Sequence, residues 1–141
     1  MKILSTLLFV LALGFTAHAD DTKKAPWPAL KAFHTVMAQT FHPSEEGNLK
    51  PVRTRAAELV EKADALSKGA IPKDYNSPEM QDAIKRLQAG SREVKKMVSD
   101  KATDEELKDQ MVLLHDNFHE IMGLCSKGEG HEGDKEEEHA H

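Results

Sequence analysis

Four times along the chain, apolar residues recur at three- and four-residue intervals between polar ones, the period of a helix that buries one face. The first run, about Pro26 to His42, carries Leu30, Phe33, Met37 and Phe41, and Pro43 is expected to end it. The second begins near Pro51, places Val52, Ala56, Leu59, Ala63 and Leu66 on one face, and meets Gly69, a residue suited to a left-handed cap. The third opens on Ser77-Pro78-Glu79, a capping serine followed by a first-turn proline, and repeats Met80, Ile84, Leu87, Ser91, Val94 and Val98, with Gly90 nearby. The fourth opens on Thr103-Asp104-Glu105-Glu106, a capping box, and runs Leu107, Met111, Leu114, Phe118, Ile121 and Cys125. No apolar/polar alternation of strand length is present. The expected fold is all-α: an antiparallel up-down-up-down four-helix bundle whose first and fourth helices lie side by side.

The two ends of the chain differ from this pattern. Residues 1–19 combine Lys2, an apolar run from Ile3 to Phe15, and Ala17-His18-Ala19, the layout of a cleavable secretory signal. As a helix that run spans roughly 20 Å, short of the roughly 30 Å hydrocarbon core of a bilayer. Residues 20–127 are then the bundle domain, expected to be soluble after processing, without membrane insertion, and periplasmic or secreted. Residues 128–141, GEGHEGDKEEEHAH, have the composition of a solvated, disordered acidic tail bearing His131, His139 and His141.

Charge narrows the partners. The formal net charge is −5 and becomes −6 when Lys2 leaves with the signal, a sign that argues against nucleic acid and against an anionic membrane surface. The single cysteine excludes an internal disulfide, so the core or a bound ligand must hold the fold. There is no Gly-rich phosphate loop, nucleophile elbow, HEXXH, CXXC or CXXCH, so the reading is of a non-enzyme without covalently attached haem.

Candidate chemistry lies where the first helix begins and the fourth finishes. At 1.5 Å per residue, His34 lies roughly 12 Å from that end, Met37 roughly 16 Å, His119 roughly 10 Å and His115 roughly 16 Å, so the four share a level. Two imidazoles at i and i+4 suit one first-row transition-metal ion, and a thioether adds a soft donor that favours copper. The leading expectation is a zinc or copper ion held by His34, Met37, His115 and His119, for sequestration, delivery or sensing. His42 or Glu46 are outside candidates for the same shell, and His42, Glu45 and Glu46 together form a second, oxygen-rich group that solvated loop charge also explains. Cys125 sits on the core seam, where a small buried hydrophobe is the default.

Arg55-Ala56-Ala57, Ser77-Pro78-Glu79-Met80 and Asp116-Asn117-Phe118-His119 give residues 51–122 a resemblance to the soluble periplasmic cytochrome b and cytochrome c-prime superfamily. That resemblance implies the four-helix bundle and, in its b-type form, a noncovalent haem electron carrier with iron between a first-helix methionine and a fourth-helix histidine. By position these are Met37 and His119. The extra imidazoles of His34 and His115, at the depth where haem faces need apolar cover, make a bare ion the more economical occupant. A third reading is a non-catalytic structural or partner-binding module.

Overall fold

The computed structural model describes residues 25–127, so the expected signal segment, the first five residues of the expected bundle domain (20–24) and the expected acidic tail lie outside the described residues. It contains four helices, α1 (Pro28–Glu45), α2 (Lys50–Lys68), α3 (Pro78–Ser99) and α4 (Asp104–Lys127), with a short 3-10 turn at Lys73–Tyr75 and no strand among the described residues. Each helix packs on its neighbour in sequence, and α1 also meets α4, so all four face one core. No helix of the described residues is long and apolar enough to cross a membrane.

The core is the apolar face read from each periodic run. Leu30, Phe33, Met37 and Phe41 of α1, the five predicted α2 residues, Met80 through Val94 of the α3 series and all six predicted α4 residues are buried, while Val98 is half-buried. Polar residues within this core make local hydrogen bonds. Thr40 Oγ1 donates to the Val36 carbonyl at 2.9 Å, Ser44 Oγ to Phe41 at 2.6 Å and Ser91 Oγ to Leu87 at 2.8 Å. Hydroxyls that bond back into their own helix can be buried at little cost, and among the described residues no buried side-chain polar atom lacks a partner.

Helix ends explain the connectors and correct two expectations. Pro43 does not stop α1, which continues to Glu45. A proline removes a single intrahelical bond, and in the last turn that loss falls where the helix is ending anyway. The stop is Gly47, at φ +86°: its N–H donates to the Ser44 carbonyl at 3.1 Å and the Asn48 N–H to Pro43 at 2.9 Å, a Schellman closure. Gly69, expected in the left-handed region, is instead extended at φ −83° and ψ 164°. A left-handed turn there would fold the chain back over the helix end, whereas the extended path carries Ile71 onto the core.

The α3–α4 turn closes in the same way as the α1–α2 turn, but without glycine. Lys101 takes φ 57°, with its N–H on the Val98 carbonyl at 3.2 Å and the Ala102 N–H on Met97 at 2.9 Å. The capping box then starts α4: the Thr103 N–H donates to Glu106 Oε2 at 2.9 Å, and the Glu106 N–H donates to Thr103 Oγ1 at 3.2 Å. Arg53 of α2 locks this corner by donating to the Ala102 carbonyl at 2.8 Å and to Asp104 Oδ1 at 2.6 Å. Where α3 lies against α4, Gly90 permits close approach, since a Cβ there would stand 3.0 Å from Leu114 Cδ1. That contact offsets the helix-propensity cost of an interior glycine, about 1 kcal/mol.

Two substitutions test the helix-end assignments. Lys101→Gly relieves a left-handed non-glycine residue and is expected to stabilise by about 0.5–1 kcal/mol. Gly47→Ala introduces the same penalty at a position with open space around it and is expected to destabilise by about 1 kcal/mol. Urea unfolding midpoints at constant m-value measure both.

Candidate functional site

The α1–α4 seam is a succession of aromatic rings contributed alternately by the two helices. Phe118, buried on α4, meets Phe33 with centroids 5.7 Å apart and stacks on the His34 ring at 5.1 Å. Further along, Phe41 of α1 stacks nearly parallel on His115, at 3.9 Å and 11°. The His115 and His119 rings meet edge to face at 4.4 Å, and His119 stands edge-on to Phe118 at 6.0 Å. Phe41 also touches His42, at 5.8 Å, and His42 Nδ1 lies 3.2 Å from Glu45 Oε2.

This arrangement divides the four sequence-predicted donors. His115 and His119 come together, with their Nε2 atoms 3.2 Å apart. His34 does not join them in direct contact: its ring lies against Phe118 and lines a cavity at the Trp27 end of the molecule. Met37 is 1% exposed within the core, whereas His119 is exposed. Among the described residues, no group of three or more His, Cys, Asp or Glu side chains is already spaced to hold a metal ion.

The α1 groups whose charge reaches His115 are His42 and Glu45. By sequence, His42 is an outside ligand candidate and Glu45 belongs to a group that solvated loop charge also explains. The available signal was their i, i+3 spacing just beyond Phe41, on a helix that runs through Pro43. Glu46, the third member of that group, is the exposed C-cap residue of α1.

His115 is held below its ordinary pKa of 6.5, first by burial and then by the neighbouring His119, whose positive charge would repel a second one; His42 acts in the same direction, and Asp116 and Glu45 oppose it. The imidazole is therefore biased toward its neutral form, the form that offers a lone pair to a metal or to an N–H donor. At 3.2 Å the two Nε2 atoms of a neutral pair share one N–H···N hydrogen bond.

Searches of protein-family models, curated proteins and solved structures gave no match to this chain.

The depressed His115 pKa has a definite sign in stability. Below about pH 6.5 the unfolded chain takes up a proton at this position more readily than the folded one, so the free energy of unfolding falls as pH drops from about 6.5 through the lower folded value. Chelator-treated protein is expected to lose urea stability between pH 7.5 and 5. His115→Gln should flatten that slope; an unchanged slope would place its origin elsewhere.

Proposed function

We propose that this chain is an exported four-helix bundle that binds a transition-metal ion on the α1–α4 seam, anchored by His115 and His119, for sequestration, delivery or sensing. Opposed contact order supports the up-down-up-down arrangement. Along α1 and α4, the chain meets itself at Phe33 with Phe118, Phe41 with His115, and the Glu45 carbonyl with Lys108. Along α2 and α3 it does so at Asp64 with Arg92 and Ser67 with Gln88. The first residue rises as the second falls in each series.

The observation that carries the metal reading is the 3.2 Å separation of the two Nε2 atoms. Two ligands each 2.0–2.1 Å from a tetrahedral zinc lie about 3.3–3.4 Å apart, so the pair already spans close to one edge of a coordination tetrahedron. Burial keeps His115 in its ligating form, and packing against Phe41 restricts its ring before an ion arrives. Water and the side chains of Asp116, Glu45 and His42, whose charges reach His115, are the candidate source of the remaining ligands.

This donor set is nitrogen and oxygen, which suits Zn(II) and Cu(II) better than Cu(I), because the Met37 thioether is sealed in the core. The haem alternative asks the packed core around Met37 to open for a porphyrin and His119 to part from His115, so we rank it second. A structural or partner-binding role without metal remains as the outcome in which neither ligand changes stability.

Dialysed protein is expected to bind one equivalent of zinc tightly, even after His131, His139 and His141 are replaced by alanine. At a free concentration one hundred times Kd, the ion adds about 2.7 kcal/mol of stability, a Tm rise on the order of 10 °C for a domain of this size. His115→Ala should abolish both the tight equivalent and the rise. Undiminished binding in that variant would refute the assignment.

A further inference from the structure

At the Trp27 end of the molecule, away from the histidine pair, a cavity of about 300 Å³ opens to solvent between the start of α1, the 3-10 turn and the end of α4. One wall is the stacked pair Trp27 and Tyr75, with centroids 5.9 Å apart and planes 16° from parallel. The Tyr75 hydroxyl donates to the Ala25 carbonyl at 3.4 Å, which ties the chain before α1 to the turn that precedes α3. Leu30 and Met122 supply further apolar surface, and Lys31 and His34 also line the space.

Two features of this lining define a ligand. Its surface is mainly apolar and includes two aromatic side chains, at the lower end of the volume range of small-molecule sites. Its charge is one-sided among the described residues: those lining it include Lys31 and His34 and no carboxylate, in a chain whose 24 acidic residues outnumber its 19 basic ones. An apolar body would displace poorly held water from the aromatic wall, and a single negative charge would find the ammonium of Lys31 with no competing acid among the described lining residues.

We propose that this cavity binds a small apolar carboxylate, with an aryl or alkyl body against Trp27 and Tyr75 and its carboxylate toward Lys31. The site is separate from the metal pair and does not rest on it. It gives His34 a place beside an organic anion in addition to its stack on Phe118.

Trp27 is the chain's only tryptophan, so its emission reports directly on this cavity. The mature protein, excited at 295 nm, is titrated with 3-phenylpropanoate, its neutral amide 3-phenylpropanamide, the cation 3-phenylpropylamine, and acetate. The expected result is a saturable emission change with the carboxylate, at least tenfold weaker binding of the amide, and none with the amine or acetate. Lys31→Met, at an exposed helix position, should weaken the carboxylate about tenfold, whereas the His115→Ala/His119→Ala double variant should bind it as the parent does. Equal affinity for acid and amide, an unaffected Lys31→Met variant, or a response only to anaerobically added Cu(I), drawn by the sulfurs of Met122 and Cys125, would each overturn the proposal.

Discussion

The seating of Phe118 between α1 and the body of α4 is the contact on which the rest depends. The other neighbouring helices are joined by short connectors, but α1 and α4 must find each other without one. Their meeting is set by side chains alone: Phe118 buried against Phe33 and His34, with Phe41 stacked on His115 further along. Aromatic pairs of this kind contribute about 0.5–1.5 kcal/mol beyond the area they bury, and their shape admits few registers. Once Phe118 is seated, the residue three positions before it faces Phe41, and the residue after it points toward solvent beside His115. The histidine pair is therefore a consequence of closing the core.

That origin gives the pair its chemistry. A histidine free on a helix surface is hydrated and titrates in the ordinary range, but His115 exchanges part of its hydration for the Phe41 ring and is biased against carrying charge. On the proposed reading, an arriving ion would replace the one hydrogen bond that the two Nε2 atoms share. Only His119 and the ligands beyond it have to adjust. The same seam turns His34 the other way, to the cavity bounded by Trp27 and Tyr75, so one helix interface positions both the histidine pair and one wall of that cavity.

Much of the fold was legible because helical periodicity survives any detail of packing: every apolar position assigned to a core face is buried, apart from the half-buried Val98. Helix ends were less so. Pro43 looks like a terminator because of what it costs inside a helix, yet it sits in the last turn of α1, and the hydrogen bonds around Gly47 decide the stop. The site was legible in level but not in direction. Counting rises put His34, Met37, His115 and His119 at similar depth, and periodicity put Met37 on the core face, but neither could show that His34 turns onto Phe118 while His119 meets His115. Nor could either extend α1 past Pro43, which brings His42 and Glu45 within electrostatic reach of His115.

Histidine ring nitrogen NMR tests the central claim most directly, because it reports each imidazole separately as metal is added. Zinc titrated into the metal-free, tail-substituted protein should move the Nε2 resonances of His115 and His119 together, to completion at one equivalent, while those of His34 keep their positions. Movement of His34 in step with the pair would restore the wider constellation. An absence of any shift at His115 would contradict the account.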